Sequence, residues 1–464
     1  MKKLFLSFLI FFLALPVVWA NDVNYDIKQT SSVAQIQTEL QALINNATSG
    51  DTIIVTGTKT NADVRLQVNI PAGKTVKWKA TYKSDAYFSA NALISFTGDG
   101  MLEVAGGTLT TGANNVIFSD GKNATVKVSS GNLSSTTGET IKTTGENAIV
   151  SISGGTVKAT SENAVYVKGE NAKVFVSGGT LSNAADYAYP VIFIDAYNNT
   201  KLNVIISGTG KIEATEEFYA IITYGGIEVK DDAQVSAAMH SAIYSTYDNH
   251  ITISGKSKVT GGTYAIYLNS GGKVEIKDNA QVISKNGGCA IGASGGEVSL
   301  VSITGGLVFA SNSNIHSVIN CDYSVSDTGM LLAWDKTAGN TNYEGFTTDD
   351  ILKLPDSATA HWDRKGGGHG IFYANGENKG FIPLHVSVLS IEEPLLPNLT
   401  VYPNPVSNIL HVETGSNVAP EIKVYSIQGI LLLQAKGNEI DISSLDRGIY
   451  FAEIDGVCRK VVKQ

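Results

Sequence analysis

The sequence predicts an all-β protein: a parallel β-helix solenoid of about 24 residues and three strands per coil, followed by a small C-terminal β-sandwich. Three observations carry this. An apolar-x-apolar triplet is followed by a small or polar anchor residue at Ala105, Ser129, Ser153, Ser177, Ser207, Lys230, Ser254, Lys277 and Thr304, at intervals of 24, 24, 24, 30, 23, 24, 23 and 27 residues. One such period holds three short runs of alternating apolar residues, as at 156–159, 164–167 and 173–176. Corner chemistry separates the runs: Glu-Asn-Ala stands at 146–148, 162–164 and 170–172, and Asn and Gly tolerate the left-handed backbone of tight corners. A helical repeat would need stretches of about 10–12 residues at 3.6-residue spacing, and a propeller four strands in about 40–45 residues.

Composition narrows the function classes. Charged residues are 17 % of the 464, and the net charge is −9. Only four of the 34 basic residues are Arg. This argues against a nucleic-acid partner, whose phosphates need a basic footprint. With 43 % apolar residues and 10 Pro, the chain is neither disordered nor a Pro/Gly low-complexity polymer.

The elements follow in order. Residues 1–20 read as a signal peptide: Lys2 and Lys3 precede a 15-residue apolar run, Leu4 to Val18. That run is too short and wrongly flanked for a membrane span. Val18 and Ala20 place small residues at the −3 and −1 positions, so cleavage is expected between Ala20 and Asn21. Residues 21–50 form an N-terminal capping segment. Its apolar positions 33, 36, 40, 43 and 44 describe an amphipathic helix that covers the open edge of the solenoid. The β-helix spans 51–311. From 312 to 388 the period fades into an irregular β closing module, 389–397 is a linker, and 398–464 alternates as a small antiparallel sandwich.

The last segment carries four motifs in order. They are Tyr402-Pro403-Asn404-Pro405, then Val424-Tyr425-Ser426-Ile427-Gln428-Gly429, then Leu445 with Gly448-Ile449-Tyr450, and a basic tail ending at Lys463. Together they resemble the type A C-terminal sorting domain of the type IX secretion system. The resemblance implies recognition by that machinery through Tyr402, Pro403, Asn404, Pro405, Gly429, Gly448, Tyr450 and Lys463. It also implies passage through the outer membrane of a Gram-negative cell, with the protein extracellular or on the outer-membrane surface. The coil pattern resembles right-handed, pectin-lyase-like β-helix surface proteins, and only that resemblance implies the hand.

Chemistry is sparse. Gly368-His369-Gly370 resembles one signature of β-helix polygalacturonases, but the accompanying Asn-Thr-Asp and Arg-x-Lys are missing. Asp231-Asp232 falls at a corner where a sister coil has Asp278-Asn279, which reads as a solvated turn rather than a Ca²⁺ site. His240 and His250 lack a third ligand. Cys289 and Cys321 are candidates to pair in an oxidising compartment. No cofactor or metal is expected. Asp51-Thr52-Ile53 and Asp356-Ser357-Ala358 resemble short O-glycosylation acceptors of bacteria that use this secretion route.

The ordered surface feature comes from aligning the second strand of each coil. Ile117, Ile141, Val165, Ile192, Ile221, Ile243, Ile266 and Ile291 share one position and should point inward. The next position then faces outward and holds Phe118, Lys142, Tyr166, Phe193, Ile222, Tyr244, Tyr267 and Gly292. Coils lie about 4.8 Å apart, so Phe118, Tyr166, Phe193, Tyr244 and Tyr267 are expected to form a nearly flat aromatic stripe that can serve as a glycan platform. The competing reading is that the rings only stack to stabilise the sheet. The expected function is that of a secreted or surface-attached, non-catalytic protein, adhesin-like or binding a polysaccharide or a host or biofilm glycan. The alternatives are a polysaccharide lyase or glycoside hydrolase, and a structural surface-layer component.

Overall fold

The computed structural model describes residues 21–334 and 399–464 apart from short loops, and parts of 352–383 as backbone strands. The signal segment with Ala20, the linker 389–397 and most side chains of the expected closing module lie outside the described residues. The chain divides into two compact units, residues up to 359 with 374–377, and residues 360–373 with 378–464.

The first unit is a parallel solenoid. Its described strands form a 21-stranded sheet and a narrow 10-stranded sheet. The large sheet supplies two arms of each coil and the narrow sheet supplies the third. The aligned columns hold in three dimensions: Ile141 stands opposite Ile117 and Val165, Ile192 opposite Ile221, and Ile243 opposite Ile266. All are buried. The residue before each is buried too, because a corner falls between them: Val116, Thr140, Ala164, Val191, Ala220, Ala242, Ala265 and Ala290. Small side chains suit this position, where two inward columns meet at an angle.

The start of the solenoid uses more of the chain than its periodicity indicates. Strand β1 (Asp22–Ile27) pairs in parallel with β2 (Thr52–Lys59), so one further strand of the large sheet precedes the helix. Helix α1 (Val33–Asn46) opens with a capping box, in which Gln35 N donates to Ser32 Oγ and Ser32 N to Gln35 Oε1. It buries Val33, Ile36, Leu40 and Ile44 at the expected spacing. Its polar face also acts on the edge. β3 (Leu66–Asn69) is the last strand of the narrow sheet and would leave backbone donors unpaired. Gln67 N donates to Gln37 Oε1 at 3.0 Å and Asn69 N to Gln41 Oε1 at 2.7 Å. Gln41 Nε2 donates back to Asn69 O at 3.1 Å. Two glutamines thus replace a missing strand.

At the other end the parallel ladder runs past 311. Asp322–Val325 pairs with the strand Ser299–Ile303, and Met330–Trp334 with Leu307–Ser311. Ser326 N donates to Ile303 O as Thr304 N does to Ile276 O, so Ser326 is the next anchor. Its triplet, Tyr323-Ser324-Val325, carries an aromatic residue in the aliphatic slot, which hides the repeat. Leu331 and Leu332 then pair antiparallel with Lys353 and Leu352, and the parallel order ends there among the described residues.

In the second unit, Thr400–Tyr402, Ile409–Glu413 and Glu439–Asp441 form one antiparallel sheet. Glu421–Tyr425, Leu431–Lys436, Gly448–Ile454 and Val457–Lys463 form a second. The two sheets enclose Val406, Leu410, Val412, Ile422, Val424, Ile440, Ala452, Ile454 and Val461.

Candidate functional site

The outward column of the narrow sheet is continuous. Phe118, Lys142, Tyr166, Phe193, Ile222, Tyr244, Tyr267 and Gly292 are register neighbours, one per coil. The five aromatics are half-buried. The column is not flat, which corrects the expected stripe. Tyr166 and Phe193 meet with their planes 76° apart. Tyr244 and Tyr267 lie 21° apart with centroids at 5.5 Å, too close for rings side by side in one plane. Rings of adjacent coils pack edge to face or face to face on each other instead of lying side by side in one plane. Lys142 and Ile222 also interrupt the column.

A second column flanks it, lying just before the corner at Glu139, Asn163, Tyr219, Ser241, Tyr264 and Cys289. Tyr219 meets Tyr244 of the next coil at 5.0 Å, and Tyr264 meets Tyr267 of its own coil at 5.0 Å. His240 packs on Tyr219 at 5.8 Å. Tyr264 leans over the next coil. A Cβ on Gly292 would lie 2.6 Å from its ring and 3.0 Å from Tyr267, so the column closes on a glycine because a tyrosine occupies that space. Tyr219, Tyr244, Tyr267 and Tyr264 are therefore one connected patch. Burial first, then their mutual proximity or that of Cys289 to Tyr264, raises the phenols of Tyr219, Tyr244 and Tyr264 above their ordinary range, so they remain neutral donors. The flanking tyrosines lie three residues before the outward position, as at 264 and 267. That offset is visible in the sequence but carries meaning only once the corner is placed.

The lower half of the face is charged. Lys142 Nζ contacts Glu139 Oε1 at 2.7 Å and stands 4.8 Å over the Tyr166 ring. Tyr166 donates to Asp195 Oδ2 at 2.7 Å. Burial, then the neighbouring Glu139, raises the carboxyl of Glu162.

Other expected sites separate. Asp231 adopts φ 60° and its Oδ2 accepts Gly208 N at 2.9 Å, the same role that Asp278 plays toward Gly255 N. It is a corner residue. His250 faces Glu275 at 3.5 Å, away from the Tyr219 contact of His240, and among the described residues no cluster of His, Cys, Asp and Glu fits a metal ion. Cys289 and Cys321 are free thiols. Burial raises both, Cys321 to about 11. The side chain of His369 lies outside the described residues. In Asp51-Thr52-Ile53 the acceptor hydroxyl would be that of Thr52, which is half-buried beside the buried Asp51, and Asp356 and Ser357 lie outside the described residues.

In the C-terminal unit the motif residues fasten the tail strand. Asn404 Nδ2 donates to Lys460 O at 2.8 Å, and Val462 N donates to Asn404 Oδ1 at 2.9 Å. Val406 N then donates to Val462 O at 2.8 Å. Tyr402 donates to Glu413 at 2.7 Å, and Tyr450 to Asp446 O at 2.8 Å. Gly429 lies outside the described residues. Ile430, Leu431, Ile449 and Phe451 are exposed.

These features define an exported protein: a parallel β-helix carrying a C-terminal sorting domain. Residues 400–464 match the family described as the secretion system C-terminal sorting domain, so the chain is directed to secretion or to the cell surface. No curated protein and no solved structure matches the chain.

Proposed function

We propose that the chain leaves the cytoplasm by a signal peptide, 1–20, passes through the type IX machinery, and displays the tyrosine patch of its narrow sheet to a polysaccharide. It acts there as a non-catalytic, adhesin-like surface protein. The observation that carries this reading is the connected patch Tyr219–Tyr244–Tyr267–Tyr264. Its rings stand 61°, 21° and 58° to one another, giving a ribbed surface that offers faces, edges and phenol hydroxyls together. Sugar CH groups settle on aromatic faces and sugar hydroxyls pair with phenols. The partner class is a neutral or weakly charged glycan, since the patch itself holds no formal charge.

The test is titration of the protein spanning 21–464 against a polysaccharide array, with Tyr244→Ala/Tyr267→Ala alongside. Saturable binding by the wild type and at least about tenfold weaker binding by the variant are expected, as for the loss of well-packed aromatic contacts. Equal affinity of the two proteins leaves the tyrosines as sheet-stabilising stacks.

A second reading, a lyase or hydrolase, is favoured by Glu162, whose raised carboxyl lies near Glu139 and Lys142, the latter in turn standing over Tyr166. Appearance of reducing ends or unsaturated uronides from a bound polysaccharide, abolished by Glu162→Gln, would establish it.

A further inference from the structure

Residue 21 is held on both sides. Its backbone nitrogen donates to Asp51 Oδ1 at 2.8 Å, and its carbonyl accepts Thr52 N at 2.9 Å. The second oxygen of Asp51 is already satisfied by Thr48 N at 2.6 Å and Thr48 Oγ1 at 2.8 Å. The carboxyl is held below its ordinary range, first by the hydrogen bond from Asn21 N and then by those from Thr48. Thr48 and Asp51 form a local turn that would stand without residue 21. Oδ1 is different: its partner comes from 30 residues upstream, at the edge of β1, where the parallel pairing of Asp22 with Thr52 begins.

We propose that Asp51 is the receptor for the α-ammonium group created when the signal peptide is cut between Ala20 and Asn21. The proposal rests on the reading of 1–20 as a cleaved leader. The cut is a hydrolysis: water gives its hydroxyl to the Ala20 carbonyl carbon and a proton to the Asn21 nitrogen, which takes a second proton from solvent. An α-amine has an ordinary pKa of about 7.7–8.0 and is cationic near neutrality. A neutral amide with one donor thereby becomes a cation with three, in place against a carboxylate. Charge-assisted hydrogen bonds are shorter and about twice as strong as neutral ones. The nitrogen already at Asp51 in the uncut chain gains charge on cleavage. β1, an outer strand of the solenoid already paired with β2, is thus pinned more firmly after processing than before it.

The test uses the chain 21–464 made by releasing a tag so that Asn21 is the first residue. The same chain carrying one extra N-terminal alanine is its comparison, and each is also made with Asp51→Asn. Both first-residue forms bear a free α-amine, but only one places it at Asp51. The Asn21-first chain should label with an amine-selective reagent at least about fivefold more slowly than the alanine-extended chain, as expected for an amine tied in a charge-assisted bond. Its melting temperature should be the higher of the two. In Asp51→Asn both differences should vanish. Equal labelling of the two wild-type forms, or a difference that persists in Asp51→Asn, overturns the latch. The extension alters no side chain, so this comparison stands even if Asp51→Asn fails to fold. Mass spectrometry of the exported protein tests the leader separately. Asn21 as first residue supports it. Any other first residue overturns the leader reading, and with it the link to processing, whatever the purified chains show.

Discussion

Coils between Met101 and Asn183 turn one corner differently from coils between Leu202 and Ser284. In the early half the two arms of the large sheet form single 11-residue strands, Met101–Thr111, Thr125–Ser135, Ile149–Ala159 and Lys173–Asn183. The buried residues flanking the bend are five apart, as in Ile152 and Val157 or Val176 and Leu181. In the late half the strands are broken, and the flanking residues are six apart: Ile206 and Ile212, Val229 and Val235, Ile253 and Val259, Ile276 and Val282. The added residue is buried and small, at Gly210, Ala233, Ser257 and Ala280. Positive φ moves with it, from two residues after the anchor at Gly131, Gly155 and Gly179 to one residue after it at Gly208, Asp231, Gly255 and Asp278. Space is short in both bends: a Cβ would lie 2.5 Å from Gly131 O on Gly155 and 2.6 Å from Gly155 O on Gly179, and 2.4 Å from Ser177 O on Gly208 and 2.6 Å from Asp231 N on Gly255. The wider bend admits aspartate, whose carboxylate accepts the N–H of the glycine one coil below. One extra residue per corner therefore moves the left-handed position next to the anchor, where glycine and aspartate alternate from coil to coil at 208, 231, 255 and 278.

The two designs meet where Leu181 stands opposite Ile212. Both are buried, so Leu181→Ala and Ile212→Ala should each cost about 2–5 kcal/mol in urea melts, as large-to-small core changes do. Equal costs would mean that both corners hold the core equally rigidly. A much smaller cost at Ile212 would mean that the broken strands relax into the cavity.

The corner itself comes next. Gly155→Ala should cost about 1–3 kcal/mol, because it forces a side chain into positive φ against a backbone oxygen. Asp231→Gly should change stability by less than about 1 kcal/mol, losing one exposed hydrogen bond while relieving the left-handed strain. Thermal melts that rank these two the other way would break the distinction between the corners.

Much of this solenoid is legible in the sequence because one physical requirement repeats. Each coil must bury the same columns, so Ile117 through Ile291 align by counting alone, and the outward register follows from strand alternation. Features that do not repeat stay hidden. β1 has no triplet-and-anchor partner, since it is a single strand separated from the rest by a helix. The clamp of Gln37 and Gln41 on β3 depends on where α1 lies, which its apolar face does not specify. Tyr219 and Tyr264 precede the corner, and their convergence on Tyr244 and Tyr267 depends on the bend angle. The tripeptide Glu-Asn-Ala shows the same limit. Asn147 and Asn171 take positive φ, whereas Asn163 serves a different corner and donates its side chain to Pro190 O at 2.7 Å.

The aromatic face differs between the halves as well. Tyr244 and Tyr267 stack, while Tyr166 and Phe193 meet edge to face. Tyr244→Ala/Tyr267→Ala should cost about 1–2 kcal/mol of cross-coil contact, and Tyr166→Ala/Phe193→Ala a similar amount. Only the first pair should also weaken polysaccharide binding. Loss of binding with the second pair instead would move the site to the charged lower half around Lys142.

The smallest expected effect is electrostatic and again contrasts the halves. Glu103 is clasped from neighbouring coils by Lys77 at 3.5 Å and Lys127 at 3.1 Å. Burial pushes its carboxyl up, but Ser129 and the two lysines outweigh that and leave it below the ordinary range. Glu275 is clasped chiefly within its own strand and the following turn, by Lys273 at 2.7 Å and Lys277 at 2.5 Å, with His250 of the neighbouring coil at 3.5 Å. These hydrogen bonds, that of Lys273 first, hold its carboxyl at about 2. The folded value lies below the unfolded one of about 4.3, so the contribution is complete above that unfolded value. It is lost progressively as pH falls toward 2. Water and salt screen much of it, because the lysine side chains are 47 % and 44 % exposed, which limits the effect to under about 1 kcal/mol. Glu275→Gln should therefore lower the melting temperature slightly at pH 7 and reduce the further drop between pH 5 and 3, with the difference from wild type shrinking in high salt. Glu103→Gln should show a larger, less salt-sensitive loss, since Glu103 is 8 % exposed and its lysines come from other coils. Equal salt sensitivity in the two variants would mean that bridging between coils contributes nothing beyond pairing within a strand.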